Sequence, residues 1–215
     1  MCSVKTLSLK SQATHPSTYS TFKRLIDIVG SLVGLLILAL VFIPIGIAIK
    51  LDSSGPIFFT QRRYGLYGRP FKICKFRTMV ENAEALKAIA SNEATGPIFK
   101  NKLDPRVTRV GQFLRCTSLD ELPQFWNVLV GEMSLVGTRP PTRNEVIHYS
   151  KHHWLRLNVK PGLTGEWQVN GRSKVTDFEA IVELDLRYQR RWSPWYDLAI
   201  ILKTIYVVFT QLGAY

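Results

Sequence analysis

Asp120 and Glu121 stand side by side in the stretch Thr117-Ser118-Leu119-Asp120-Glu121-Leu122-Pro123-Gln124. Proline lacks an N–H and is tolerated only in the first turn of a helix, so Pro123 predicts that both carboxylates lie at or just before a helix N-terminus. The helix macrodipole favours anions there. Basic residues recur around them: Arg115 five positions upstream, Arg139 in the rigid turn Gly137-Thr138-Arg139-Pro140-Pro141, and Arg172 at the end of Gln168-Val169-Asn170-Gly171-Arg172. Forked guanidinium donors match phosphate oxygens. An aspartate kept ionised by arginine and a helix N-terminus can attack phosphorus as a nucleophile. A neighbouring glutamate together with substrate phosphates makes an ordinary Mg²⁺ site, because Mg²⁺ takes few protein oxygens. The plainer reading of the same letters is a capping box, Ser118-x-x-Glu121, with solvated surface arginines.

Elements that could position these groups follow from the pattern. Ile57–Thr60 and Phe71–Phe76 read as two short strands joined through the Gly- and Pro-containing turn 64–70, which predicts a hairpin ending at Lys75-Phe76-Arg77. Helices are predicted over Asn82–Ala90, Leu122–Val130, Glu145–Leu157, Phe178–Arg191 and Trp192–Gln211. The last is apolar with aromatics at both ends, suited to lying on lipid headgroups or to a buried core. The expected class is α/β, rich in helix. Its parts are a disordered tail (1–20), a membrane helix (21–50), and one catalytic domain (51–215) with a small β-hairpin and interfacial amphipathic helices.

The chain has 215 residues and a formal net charge of +12. Its 24 aromatic residues (five Trp, eight Tyr, eleven Phe) can bury a core, which excludes a disordered chain. Cys2, Cys74 and Cys116 are too few and too scattered for a disulfide framework or a zinc site, and fit reduced thiols facing the cytoplasm. The charge is uneven: residues 28–49 carry none, whereas residues 50–116 hold 13 basic against 5 acidic side chains. A basic excess beside a greasy run points to a membrane surface or a phosphate-rich substrate, and away from nucleic acid. Ile28–Ile49 is long enough to span the ~30 Å hydrocarbon core, which favours a simple transmembrane anchor. Pro44 followed by Gly46 predicts a kink or break, and Lys23-Arg24 before and Lys50 after leave the orientation unset. A segment that enters the bilayer and returns satisfies both flanks.

In their joint order, several motifs resemble the bacterial sugar transferases, the small monotopic phosphoglycosyl transferases. They are Phe59-Thr60-Gln61-Arg62-Arg63-Tyr64-Gly65, Lys75-Phe76-Arg77-Thr78-Met79, Ser118–Gln124, Asn127-Val128-Leu129, Met133–Pro140, Lys160–Gly165 and Gln168–Arg172. The likeness runs from about Phe22 to the C-terminus, and Gly-Thr-Arg-Pro-Pro is most similar to the exopolysaccharide branch. The resemblance implies transfer of a phosphosugar from a UDP-sugar to undecaprenyl phosphate, giving undecaprenyl-diphosphate-sugar and UMP. It implies Asp120 as nucleophile of a covalent phosphosugar-aspartate intermediate and Glu121 as the Mg²⁺ ligand. Arg115, Arg139 and Arg172 would line the phosphate site, and on the resemblance alone Lys75 and Asp185 match positions near it. It also implies a re-entrant N-terminal helix, both ends at the cytoplasmic face of the inner membrane, contact with inner-leaflet lipids, and a homodimer as one assembly open to it. The family's usual Ser-Pro break is replaced here by Ala39-Leu40, with Pro44 one turn later as the expected break. Further N-terminal membrane helices and a regulatory domain, common in relatives, are not in these residues, as expected of a minimal enzyme or the excised part of a longer one. The Gly-Thr-Arg-Pro-Pro form of residues 137–141 inclines the sugar towards a hexose such as glucose or galactose.

Two other classes make different predictions. A membrane-anchored basic binding or scaffold protein has no need of Asp120. A metal protein would use His148, His152 and His153, two of which have helical spacing, but no clustered cysteine or acidic third ligand accompanies them.

Overall fold

The computed structural model describes residues 14–86, 92–99, 101, 103–171 and 175–210. Of the predicted N-terminal tail, residues 14–20 are described and packed. His15 Nε2 meets the Gln189 carbonyl at 2.9 Å, its ring stands edge-on to Trp192, and Ser17 is buried. Ser20 then caps α1 (Thr21–Asp52), its hydroxyl accepting from the Lys23 N–H.

α1 has 32 residues, about 48 Å at 1.5 Å per residue. One stripe faces the rest of the molecule along that whole length: Lys23, Asp27, Ser31, Gly34, Leu38, Val41, Ile45 and Ile49. The opposite stripe (Leu25, Val29, Leu32, Leu36, Leu40, Ile43, Ile47, Leu51) is exposed and wholly apolar. Both keep the helical period through Pro44, so the break expected there does not interrupt the helix. The reason is positional: Pro44 lies on the exposed face, while Ile45 and Ile49, just beyond it, are buried against Phe76 and Leu114. One lost N–H does not undo that packing.

β1 (Phe58–Tyr64) and β2 (Pro70–Phe76) form the predicted antiparallel hairpin, each longer than its apolar core suggested. Phe42 of α1, Phe58 and Phe76 stack with ring centroids 5.5 to 6.3 Å apart, which fastens the hairpin to α1. In the predicted 82–90 helix, residues 82–84 form a turn, 85–86 are 3₁₀-helical, and 87–90 lie outside the described residues. α2 (Arg109–Thr117) has no counterpart among the predicted elements. A 3₁₀ turn, Leu119–Gln124, leads into α3 (Phe125–Leu129), together covering the predicted 122–130 helix except Val130, its C-cap.

β3 (Ser134–Val136) pairs in parallel with β4 (Gly162–Thr164), a pairing that three-residue strands do not announce in sequence. The predicted 145–157 helix is divided into α4 (Arg143–Val146) and α5 (Lys151–Trp154), followed by a 3₁₀ turn, Leu155–Asn158. Ser150 causes the division: its hydroxyl accepts from the His153 N–H while His153 Nδ1 accepts from the Ser150 N–H, a capping box that starts a new helix. α6 (Glu166–Asn170) follows β4. α7 (Phe178–Arg191) matches its prediction, and α8 (Pro194–Thr210) starts two residues later than expected.

The main core joins the hairpin (Phe71, Ile73), α3 (Val128), β3 (Leu135, Val136), α7 (Tyr188) and α8 (Ile200). A second, smaller core gathers Trp167 with Phe178, Ile181, Val182 and Leu186 of α7. α8 buries Asp197, Ile200 and Val207 and exposes Trp195, Leu202, Ile205, Tyr206 and Phe209. Of the two readings of that helix, the structure therefore has one face in the core and an apolar aromatic face outside.

Candidate active site

The Asp120-Glu121 pair sits in the 3₁₀ turn between α2 and α3. Ser118 enters it in the left-handed region (φ 59°), reversing the chain at the end of α2. The Ser118 side chain makes no capping bond. The capping-box reading is thus corrected: Glu121 reaches instead to Lys75 of β2, Nζ to Oε1 2.5 Å. Asp120 is buried, 8% exposed, and Glu121 is about one-third exposed.

Arg115, on the last turn of α2, lies beside Asp120 and donates from Nε to Thr78 Oγ1 at 3.0 Å. Burial pulls the Arg115 guanidinium below its ordinary pKa, and the Asp120 charge works against that pull. α2 is held there from its start: Thr108 caps the Gly111 N–H, and Gly111 lies so close to the Thr78 main chain that a Cβ would collide with it. Two cations, Arg115 from the preceding helix and the sequence-distant Lys75, thus flank the adjacent carboxylates.

Arg139 is presented by the β3–β4 pairing. The Gly137 N–H donates to the Thr164 carbonyl and the Gly162 N–H to the Thr138 carbonyl, both at 2.9 Å. Gly137, Gly162 and Gly165 pack main chain on main chain, with no room for a Cβ. Arg139 Nη1 donates to both Glu145 oxygens, at 3.0 and 3.3 Å, and its guanidinium lies over Trp167, 5.8 Å from the ring centre. Arg63 of β1 joins this group. Its Nη1 donates to the Pro140 carbonyl at 3.1 Å and stands 3.9 Å from Glu145 Oε1. Burial and the like charge of Arg139 push Arg63 down to about 10, while Glu145 and Glu121 hold it up. Arg63 therefore feels both the Glu121 end and the Arg139 end of the site. Burial alone would raise the Glu145 carboxyl, but Arg139, Arg63, Arg156 and the Thr142 hydroxyl together bring it below its ordinary 4.5.

A small cavity of ≈ 150 Å³ opens beside Arg139, lined by Ile98, Phe99, Arg156, Trp167 and Ile181. Behind it lies Asp185, fully buried, whose Oδ2 takes Nε and Nη2 of the equally buried Arg156 at 2.8 and 2.6 Å. Asp185 is thus near Arg139, but it holds Arg156 and is itself fully buried. Arg172 lies outside the described residues. His152 and His153 turn to Glu183 and Glu179 of α7, and His148 Nδ1 to the Asn144 carbonyl. No group of three His, Cys, Asp or Glu side chains suited to a metal occurs among the described residues. Arg63, Glu145 and Arg156 were not singled out in sequence. Arg63 does fall in the Gln-Arg-Arg-Tyr-Gly motif, which could have drawn attention to it.

The bacterial sugar transferase family model matches residues 18–211. The chain belongs to that family. Among curated relatives, the galactosyl transferase CpsE of Streptococcus agalactiae serotype III (strain NEM316) is 50% identical over 194 residues, which is 89% of this chain and 43% of the relative. The UDP-glucose:undecaprenyl-phosphate glucose-1-phosphate transferase of Escherichia coli K12 is 44% identical, over 90% of this chain and 41% of the relative. The exopolysaccharide production protein ExoY of Sinorhizobium fredii is 40% identical, over 90% of this chain and 88% of the relative. The chain spans less than half the length of the first two. As a bacterial sugar transferase sequence it aligns over nearly all of the fold described here, from the turn that precedes α1 to the end of α8.

Proposed function

We propose that this sugar transferase moves a phosphosugar from a UDP-sugar to undecaprenyl phosphate, releasing UMP, as a membrane step of exopolysaccharide synthesis. The observation that carries the reading is the setting of Asp120: a nearly enclosed carboxylate beside Glu121, flanked by Arg115 and Lys75, with the Arg139–Arg63 group adjoining. The named relatives that act on UDP-glucose and undecaprenyl phosphate support the substrate classes.

In the proposed course, an Asp120 carboxylate oxygen attacks the phosphorus that carries the sugar. The bond from that phosphorus to the bridging oxygen breaks, and UMP leaves with the electron pair. An oxygen of undecaprenyl phosphate then attacks the same phosphorus and Asp120 departs as carboxylate. Attack by an anion on a diphosphate needs positive charge around the phosphoryl oxygens, which Arg115, Lys75, Arg139 and Arg63 supply from fixed positions. Adjacent carboxylates, one of them partly exposed, suit Mg²⁺, which takes one or two carboxylates and completes its shell with phosphate and water. Glu121, with Asp120 beside it, would hold the ion, whose charge would offset that of the diphosphate.

α1 supports membrane association of a particular kind. Its inner stripe is packed on the body from Lys23 to Ile49, so a helix crossing the bilayer would draw the body in with it. Both ends belong with the catalytic domain, and the exposed stripe, with the outer faces of α8 and α3 (Trp126), is left for lipid. We place the domain at the cytoplasmic face of the inner membrane, where a soluble UDP-sugar and a lipid phosphate can meet at one site.

The test is UMP release from a panel of UDP-sugars by the nanodisc-held protein with undecaprenyl phosphate. Asp120→Asn should abolish release while leaving the protein in the membrane fraction. Full activity of Asp120→Asn overturns the covalent course, and no release with any sugar overturns the activity.

A further inference from the structure

α1 does more than present an apolar face. Arg24, one turn into the helix, donates from Nη1 to the Val128 carbonyl at 2.8 Å and from Nη2 to the Leu129 carbonyl at 2.6 Å. These are the last carbonyls of α3, the helix that continues the Asp120 turn. A cation on the terminal carbonyls satisfies groups that have no partner within the helix and opposes the dipole. Midway along α1, Gly34 lies under the ring of Phe125, the first residue of α3, and a Cβ there would overlap the ring.

The other end of α1 is held in the same chemical manner with the roles exchanged. Arg77, directly after β2, donates to the Ser54 carbonyl at 2.5 Å, to the Ser53 carbonyl at 2.6 Å and to Ser53 Oγ at 3.0 Å, just past the end of α1. Gly55, at φ 114°, makes room for that guanidinium. Asp52 Oδ2 accepts the Val110 N–H of α2 at 2.9 Å. Every element that carries a group of the Asp120 end is therefore tied to α1: α3 through Arg24, β2 with Lys75 through Arg77, and α2 with Arg115 through Asp52.

We infer that α1 is a structural wall of the catalytic site, with Arg24 and Arg77 as positioning residues that fix Asp120 between Lys75 and Arg115. The membrane-facing helix and the nucleophile then move as one body, and shifting the helix shifts the site. This rests on the proposed phosphosugar transfer, and the test separates the two.

Arg24→Gln, Arg24→Lys, Arg77→Lys and Gly34→Ala are compared with the unaltered chain in nanodiscs, by UMP release and by amide hydrogen exchange over residues 119–131. A displacement of the order of 1 Å at reacting groups can lower a rate by about a hundredfold. We expect Arg24→Gln to lose about tenfold or more in kcat with the KM for UDP-sugar within about twofold, and exchange to rise at residues 126–131. Arg24→Lys should recover part of the loss, since it restores charge without the fork. Gly34→Ala should repeat the kcat loss with every charge intact. Unchanged kcat and unchanged exchange in both Arg24→Gln and Gly34→Ala overturn the inference. So does a loss confined to KM, or a loss matched by general unfolding in the exchange of α7. If the unaltered chain itself releases no UMP, it is the transfer reading that fails, and exchange alone then decides whether α1 fixes the turn.

Discussion

Asp120 is nearly shut off from water, and several cations of the site and its surroundings are held by carboxylates: Lys75 by Glu121, Arg139 by Glu145, Arg156 by Asp185. Each pairing fixes a side chain that would otherwise sample many rotamers. Asp185→Asn leaves the Arg156 charge buried with a neutral partner, and breaking such a pair costs about 3–5 kcal/mol. Thermal unfolding should show that loss, with any change in kcat following from it. Glu145 gives an acid signature. Its folded pKa lies below the ordinary 4.5, so the stabilisation it provides is complete above that value and is lost as pH falls through the lower, folded value. The unfolding temperature of the unaltered protein should therefore decline below about pH 4.5, and Glu145→Gln should be less stable at pH 7 and lack that part of the decline. If Mg²⁺ sits at Glu121 as proposed, EDTA should stop UMP release and added Mg²⁺ restore it; undiminished turnover in EDTA removes Glu121 from that role.

Among the elements, the short parallel pair β3–β4 has the clearest consequence for the site. It sets the turn from which Arg139 projects, and its glycines are required by main-chain contact at Gly137, Gly162 and Gly165. Gly162→Ala should cost about 1–3 kcal/mol by overpacking and should lower kcat beyond what that destabilisation explains, because the Arg139 turn is displaced. Denaturant unfolding and UMP release on the same preparation check both. The turn 137–141 that presents Arg139 and the motif 160–165 both stand out in the sequence. Their pairing with each other does not, because two three-residue strands separated by 25 residues carry no periodic signal. The split of 145–157 had the same origin: helix formers run through Ser150, and only the capping hydrogen bonds of Ser150 and His153 show that a new helix begins there.

At the scale of the whole molecule, α1 divides the surface. One stripe of it is core, the other is a row of exposed leucines, isoleucines and valines that water disfavours. Leu36→Asp with Leu40→Asp, both on that exposed row, should weaken partition into vesicles. Each leucine buried in lipid is worth about 1.5–3 kcal/mol, and the core face is untouched. Cysteines placed at Thr14 and Ser54, in a background without Cys2, Cys74 and Cys116, should be labelled by an impermeant reagent from the same side of the membrane. Labelling from opposite sides would mean a spanning helix and a body released from it.

By itself the sequence determined what local chemistry can specify. The adjacent carboxylates beside Pro123, the hairpin with its Gly-Pro turn, the 178–191 helix and the apolar run after Lys23-Arg24 each follow from spacing and residue type within a few turns of chain. The tertiary structure decided whatever depends on partners far apart. It turned Glu121 from a cap towards Lys75, set Asp185 against Arg156, and brought Arg63 to the Pro140 carbonyl and Glu145, which also holds Arg139. It also continued α1 as one helix past Pro44, where burial of Ile45 and Ile49 against Phe76 and Leu114 offsets the missing N–H. Spacing along a chain constrains neighbours within a few residues, whereas burial and ion pairing are settled only when remote segments share one core.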